Sequence, residues 1–399
     1  MIDFSLTENQ TEIQELARKF AREVIRPAEK ALDKIADPEQ VFKSDIFWNT
    51  MRQAYELGFH KMGIGKDFGG LGLDPSTTGL VWEELAVGGI GIAGSLLAAP
   101  VAPLAISVIA SGRNDLIDRY VRPYCEDTKA KHVSAWGSSE PNIGSDGSNY
   151  YDTRVHHETR ALKDGNEWVI QGAKSSFVSN GGIADLFLVF ACVDPSQGIR
   201  GSAAFLVPYG PGVERGKAMD KIGMRALNQA DVFFNNVRIP EDYTIFPYGE
   251  NYPMFHNAIV TVGNVGVGYL ALGVMRAAFE DALAYAKERV QWGKPIIEHQ
   301  AVAFKLFQTW QAIEAGRALL WKASWTNATK FLGDLKLAAT ARVFVTDMAM
   351  KHTVEMVQIL GGYGISKEYN LEKYMRDAKL LQIMDATNEM MSIKGAALL

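Results

Sequence analysis

The side chains best suited to chemistry in this chain fall in four segments. The first, Ala135-Trp136-Gly137-Ser138-Ser139-Glu140-Pro141-Asn142-Ile143-Gly144-Ser145-Asp146, is rich in hydroxyls and backbone donors and is punctuated by Gly and Pro. Such a loop can hold a pyrophosphate or the edge of a flavin ring on a concave row of N–H groups, and a plain turn uses the same residues. The second, Phe177-Val178-Ser179-Asn180-Gly181-Gly182, sets an aromatic beside a small hydroxyl ahead of a turn. A strand end with a core aromatic has the same pattern. In the third, Arg289-Val290-Gln291-Trp292-Gly293-Lys294-Pro295 closes a long helical pattern and leads to His299-Gln300 at the next one. Taken singly, an Arg at that place is a favourable partner for the helix dipole. The fourth runs from Gln358-Ile359-Leu360-Gly361-Gly362-Tyr363-Gly364 through Arg376-Asp377 to Met384-Asp385-Ala386-Thr387-Asn388-Glu389. Asp385 follows an apolar stretch and opens the last helical segment, where its simplest role is an N-cap.

Much other chemistry is missing. There is no Gly-x-x-x-x-Gly-Lys-Ser/Thr loop, no His-Glu-x-x-His and no Gly-x-Ser-x-Gly. The glycines from Gly63 to Gly72 lack the preceding strand of a phosphate-binding fingerprint and read as a turn. His156 and His157 are adjacent, so on an extended segment they point different ways, and the pair reads as a solvated loop rather than a metal site. Lys plus Arg number 41 against 46 Asp plus Glu, a net charge of −5, which lacks the basic excess that coating nucleic acid requires. The 47% hydrophobic content fills a core and excludes disorder. Cys125 and Cys192 are too few for a disulfide scaffold, which points to a reducing compartment and a cytoplasmic protein. Met1-Ile2-Asp3-Phe4-Ser5 lacks an export signal's basic and apolar regions, and no stretch reads as long and apolar enough to span a bilayer.

Three regions position these segments. Residues 1–130 read as an α-helical domain, with an amphipathic helix from Thr7 to about Leu32 that Pro27 kinks or ends, a helix from Phe47 to Leu57 and another from Ser76 to Val87. Residues 131–247 read as a central antiparallel β domain, with strands around Trp168–Ile170, Leu186–Phe190, Ala203–Val207 and Asp231–Phe234 between Gly, Pro and Asn turns. Residues 248–399 return to helical periodicity over Val274–Val290, Ala301–Lys330 and Leu335–Leu360, a helical bundle in an α+β chain.

In this order the segments resemble the acyl-CoA dehydrogenase family over nearly the whole chain. Its usual forms are a Thr-Glu-Pro-x-x-Gly-Ser-Asp loop, a Trp-Ile-Thr-Asn strand end, an Arg-x-x-Phe-Gly-x-x-Ile helix end, and Gly-Gly-x-Gly followed by Arg-Asp and a Tyr-Glu-Gly-Thr-like segment. This chain offers Ser139-Glu140-Pro141 through Gly144-Ser145-Asp146, Phe177 to Asn180, Arg289 through Trp292-Gly293 to Ile296, Gly361-Gly362-Tyr363-Gly364, Arg376-Asp377, and Met384 to Thr387. Lys221-Ile222-Gly223-Met224-Arg225 and Val237-Arg238-Ile239-Pro240 look like the family's exit from the β domain. The resemblance implies an N-terminal helical domain, a central β domain and a C-terminal four-helix bundle, assembled as a homotetramer (or dimer) with one FAD per subunit. It assigns the isoalloxazine and ribityl parts to Trp136, Ser138, Ser139, Gly144, Ser145, Phe177, Val178 and Ser179. A neighbouring subunit's FAD falls to Arg289, Gln291, Trp292, His299, Gln300, Gln358, Gly361 and Gly362, while Thr387 and Glu389 return to the first flavin. The implied reaction takes hydrogens from the α and β carbons of an acyl-CoA, with a carboxylate accepting the α-proton and the flavin the β-hydride. Electrons then leave to an electron-transferring flavoprotein.

The chain departs from the family in places that bear on function. Where the Glu of Tyr-Glu-Gly-Thr stands, it has Asp385, one methylene shorter, with Ala386 after it in place of Gly. Some relatives carry the base on the first helix of the C-terminal domain, just before an Arg; counting back from Arg289, those places hold Gly263 and Asn264. Asp385 is thus the only carboxylate at either location, and Ser145, Gly263 and Asn264 become the substrate-side residues. The stretch from Gly147 to Glu167 is longer than usual and reads as a surface hairpin or as a wall of the acyl pocket. One extra residue follows Lys174. The expected reaction is dehydrogenation of a branched, cyclic or otherwise unusual acyl-CoA. The alternatives are a nitroalkane oxidase-like or other flavin oxidase or monooxygenase, although nitroalkane oxidases have an Arg where Ser392 stands, and a subunit of a heteromeric dehydrogenase.

Overall fold

The structure, a computed structural model, describes residues 5–399 apart from the side chain of Ser176. The reading of Met1–Phe4 as free of a signal lies outside the described residues. Helices α1 (Glu8–Phe20), α2 (Arg26–Leu32), α3 (Pro38–Lys43), α4 (Asp45–Glu56), α5 (Pro75–Gly88), α6 (Ile90–Ala98), α7 (Val101–Ile109), α8 (Asn114–Leu116) and α9 (Arg122–Glu126) form the first region. Pro27 neither ends nor breaks the first helix. A π-helical turn at Ala21–Ile25 precedes it, in which the Arg26 N–H reaches the Ala21 carbonyl, and the widened turn accommodates a proline that has no N–H to give.

Strands β1 (Ser134–Gly137), β2 (Arg160–Asp164), β3 (Glu167–Ser179), β4 (Leu186–Cys192), β5 (Ser202–Pro208), β6 (Val213–Arg215), β7 (Gln229–Pro240) and β8 (Thr244–Phe246) make one twisted sheet in the order β6-β7-β3-β2-β4-β5-β8. The expectation of a purely antiparallel domain needs one correction. β1 lies off this path and pairs parallel with β4, Ser134 opposite Leu186 through Gly137 opposite Val189, and β2 meets β4 in parallel at Arg160. β4 is buried at every position, which is why Leu186 to Cys192 reads as a continuous apolar run.

The C-terminal region consists of α10 (Tyr252–Glu288), α11 (Gln300–Thr329), α12 (Leu335–Leu360), α13 (Leu371–Leu381) and α14 (Asn388–Ala396). A short hairpin, β9 (Val290–Gln291) with β10 (Lys294–Pro295), joins α10 to α11. The three long helices pack on one another, α13 completes the bundle against α10 and α12, and α14 lies on α12. Contrary to the sequence reading, Ile90–Ile109 and Tyr252–Glu288 are long and apolar enough to cross a membrane. The first comprises α6 and α7 and the second is α10, and all are core segments here with most of their apolar windows covered by protein. A methyl at Gly273 would stand 2.7 Å from the Glu83 carbonyl oxygen, so glycine is what lets α10 approach α5 this closely.

Candidate active site

The first candidate segment begins inside the sheet. Ala135, Trp136 and Gly137 belong to β1, not to a loop, and Trp136 is half-buried with its ring 4.6 Å from that of Phe190. Beyond Gly137 the chain leaves the sheet and is held by a buried ion pair: Lys174 Nζ lies 2.5 Å from Glu140 Oε1, and neither side chain has any exposed surface. The two oxygens of Glu140 also accept the amides of Glu158 and Thr159, and Lys174 donates to the Ser138 carbonyl at 3.0 Å. Burial pulls the Lys174 ammonium down to about 8 against the pull of Glu140. The Ser139 carbonyl accepts the Ser175 amide at 3.2 Å. Gly144 is exposed, and Ser145, half-buried, starts a 3₁₀ turn that runs to Ser148. The polar rim from Ser138 to Ser145 is therefore clamped to β3 from beneath.

On β3 the step from Lys174 to Val178 faces only Val232 to Ala230 on β7, so a bulge of two residues lies here, in the stretch where the sequence reading placed an extra residue. Phe177 sits on it with φ +84° and is 54% exposed, which rules out a core aromatic. Val178 is buried, and the Ser179 hydroxyl is 3.3 Å from Gln229 Nε2.

The third segment and part of the fourth meet in one cleft of about 840 Å³, lined among others by Tyr285, Arg289, Gln291, Trp292, His299, Gly361, Gly362 and Tyr363. His299 Nε2 lies 3.1 Å from the Gln291 carbonyl, and the Arg289 guanidinium stands over Tyr363. Arg289 makes no ion pair among the described residues. Side chains added at Gly361 or Gly362 would meet open space, so the backbone is uncovered along that edge, although the Gly361 N–H is spent on the Gln358 carbonyl. A guanidinium without an ion pair, a carboxamide, an imidazole and an uncovered glycine edge fit the diphosphate of a dinucleotide. Gln300 and Gln358 are exposed but do not line the cleft. No residue of the first two segments lines it either.

Asp385 lies in the turn between α13 and α14. The N-cap of α14 is Thr387, whose hydroxyl accepts the Met390 amide, so Asp385 is not the cap. Asp385 at φ +52° and Ala386 at φ +76° are both left-handed without being glycine, a conformation costing of order 1–3 kcal/mol per residue that persists where function or packing imposes it. Asp385 as a residue is exposed, yet its carboxyl is crowded by enough protein to lose solvation. Loss of solvation pushes its pKa above the usual carboxylate range, and the charge of Arg342 opposes that rise. No hydrogen bond engages its carboxylate among the described residues. Glu389 is exposed at the first turn of α14. Ser392 spends its hydroxyl on the Asn388 carbonyl of its own helix.

On α10, a side chain at Gly263 would find open space, while Asn264 is buried with Nδ2 donating to the Val260 carbonyl and Oδ1 without a partner. No hydrogen bond links Ser145, Gly263 or Asn264 to Asp385 among the described residues. The 147–167 stretch divides: its last part is the β2–β3 hairpin, whereas its first is pinned inside. Tyr150 is buried with its hydroxyl 2.8 Å from His256 Nδ1 and from Asn257 Oδ1 and 2.9 Å from Lys394 Nζ. His157, expected in a solvated loop, is buried against the Ser202 hydroxyl.

Three features lay beyond the sequence reading: the Glu140–Lys174 pair, the Tyr150 cluster and Arg342. Of these only Arg342 left a signal. It falls at helical spacing with Ala338, Ala341, Val345 and Ala349, the buried face of α12.

Comparison with known proteins covers nearly the whole chain. Sequence profiles of the acyl-CoA dehydrogenase N-terminal, middle and C-terminal domains match residues 7–128, 135–237 and 257–397. A short-chain specific acyl-CoA dehydrogenase of Megasphaera elsdenii is 35% identical with both chains fully covered. A cyclohex-1-ene-1-carbonyl-CoA dehydrogenase of Syntrophus aciditrophicus is 31% identical over 96% of this chain and 88% of its own. A solved chain from work on the electron transferring flavoprotein of Acidaminococcus fermentans superposes with a TM-score of 0.88 at 32% identity, both chains fully covered.

Proposed function

The chain belongs to the acyl-CoA dehydrogenase family of FAD-dependent oxidoreductases acting on CH–CH bonds, and from that premise we propose that it desaturates a branched or cyclic acyl-CoA with Asp385 as the base. The observation that carries this reading is the Asp385 carboxylate itself: unpartnered, partly stripped of solvent on an exposed residue, and held on a strained turn. A base in that state is desolvated and free to accept the acidic α-proton of a thioester. FAD supplies the hydride acceptor when bound. The rim from Trp136 to Ser145 with Val178 and Ser179 would hold its ring end, and the Arg289 cleft would hold a diphosphate from another subunit. Gly263 and Ala386 offer small volumes where a bulky acyl group needs room, and the Syntrophus relative, whose name specifies a cyclic acyl group, supports that choice. An electron-transferring flavoprotein as acceptor is supported by the Acidaminococcus match, a homotetramer by the division of the site into two groups, and a cytoplasmic location by two unpaired buried cysteines.

The test is the visible flavin spectrum of the anaerobic protein titrated with linear, branched and cyclic acyl-CoA thioesters. Bleaching by branched or cyclic thioesters ahead of linear ones is expected, and Asp385→Asn is expected to keep the flavin bound but unbleached. Preferential bleaching by linear thioesters would overturn the substrate class, and bleaching of Asp385→Asn at the parental rate would overturn the base.

A further inference from the structure

We infer that Arg342 on α12 is the positioning residue for Asp385, holding the turn that aims its carboxylate; this rests on the reading of Asp385 as the base. Arg342 is fully buried, yet it forms no ion pair among the described residues. Its guanidinium instead donates to the carbonyls of Leu381 at 3.3 Å, Met384, and Asp385 at 3.5 Å. These are the carbonyls at and just beyond the C-terminus of α13, where the helix dipole concentrates negative charge and water would otherwise be required.

The rest of the turn is tied to the same helix by uncharged donors. Asn388 donates to the Thr346 hydroxyl and to Asp347 Oδ1 at 2.9 and 2.8 Å, and Gln382 donates to Asp347 Oδ1 at 2.7 Å. Both ends of the turn are thus fastened without Arg342, and the guanidinium acts on its middle, residues 384 and 385. That middle is where two successive residues other than glycine adopt positive φ. A planar guanidinium can serve several carbonyls at fixed angles, which a single ammonium cannot match. The other charged groups around the turn are Asp347 on α12, Lys379 on α13 and Glu389 on α14. Burial lowers the Arg342 pKa only to about 10, so it remains a cation at neutral pH beside the Asp385 carboxyl.

The experiment is anaerobic reduction of the holoenzyme's flavin by its best acyl-CoA thioester, followed against pH in the parent, Arg342→Met, Arg342→Lys, Arg342→Lys with Ala386→Gly, Thr346→Val and Asp385→Asn. Arg342→Met is expected to slow the limiting reduction rate about 10²-fold through misplacement of the base, leave thioester affinity unchanged, and move the acid limb of the profile up by about one pH unit. Arg342→Lys keeps the charge and hence the acid limb but loses rate. Adding Ala386→Gly restores much of that rate, since glycine holds the turn without strain. Thr346→Val, which loosens an end of the turn, lowers melting temperature and leaves the acid limb in place. Parental rate and profile in a flavin-replete Arg342→Met would overturn the inference. If that variant does not fold, full activity in Arg342→Lys, or no recovery with glycine, overturns it. Should Asp385→Asn still bleach its flavin, the base assignment falls and the positioning role with it; an inert Asp385→Asn beside unaffected Arg342 variants removes the positioning role alone.

Discussion

At the scale of the residue, Asp385, the base proposed above, is held at a cost to stability. Its carboxyl is pushed above its ordinary range by loss of solvation, with Arg342 pulling the other way. A carboxyl whose folded-state pKa is raised binds its proton more tightly when folded than when unfolded. Its favourable contribution to folding is therefore complete below the unfolded value and is lost as pH rises through the folded one. At neutral pH the ionised group opposes folding, so Asp385→Asn should melt at a higher temperature than the parent, with the difference shrinking as pH falls into the carboxylate range. Thermal melts of the two flavin-loaded proteins across pH decide this; a lower melting temperature for Asp385→Asn at neutral pH would mean that the carboxylate is held at no cost. The same sign governs catalysis. The reductive half-reaction should fail on the acid side at a pH above that of a free aspartate, because the base must be ionised to accept a proton.

At the scale of the element, the polar rim works only if something rigid lies beneath it, and that support is the Glu140–Lys174 pair bridging the post-β1 turn to β3. Removing one member of a buried pair leaves the other charged and uncompensated, at about 3–5 kcal/mol. Lys174→Met should therefore lower stability by about that amount and weaken FAD binding, because the Ser138 carbonyl and the Glu140 contacts to residues 158 and 159 lose their anchor. Chemical denaturation and flavin release measure both, and a Lys174→Met protein with parental stability and flavin content would refute the anchoring role. The sequence made the polar side of this region legible, since hydroxyls, Gly and Pro cluster locally, but not its support. Glu140 and Lys174 are 34 positions apart and meet only through the sheet. The order of helical, β and helical regions was legible for a related reason, as periodicity is a local property. What escaped depended on tertiary context. Pro27 passes through a helix because a π turn precedes it, Trp136 lies in a strand because β1 finds β4, and Tyr150 turns inward because His256, Asn257 and Lys394 await it. By length and apolar composition α10 resembles a membrane span, but Gly266, Gly268 and Gly273 let other helices pack closely against it inside the fold.

At the scale of the whole molecule, one subunit presents two groups of candidate cofactor residues that do not share a cleft, the rim around Trp136 to Ser145 and the cleft around Arg289. On α11, Phe304, Phe307 and Trp310 are 63%, 55% and 47% exposed at three-residue spacing, an apolar face of the kind that subunit contacts cover. If Arg289 serves a neighbour's FAD while Asp385 serves the subunit's own, the two lesions Arg289→Ala and Asp385→Asn are complementary. Each variant alone is inactive: the first homo-oligomer lacks a diphosphate contact at every site, the second lacks the base at every site. In a mixed pair, the site built from the Asp385 of the Arg289→Ala subunit and the Arg289 of the Asp385→Asn subunit has both residues intact. Random pairing makes half the pairs mixed, each with one whole site out of two, so co-expression should recover roughly a quarter of the parental flavin-reduction activity. Tandem purification of differently tagged subunits removes the tetramers built from one variant alone and raises that fraction to about 0.29 if pairs assemble at random. Activity that stays at the level of the single variants in such tandem-purified oligomers would show that Arg289 and Asp385 act on the same flavin, and the division of labour between subunits would have to be abandoned.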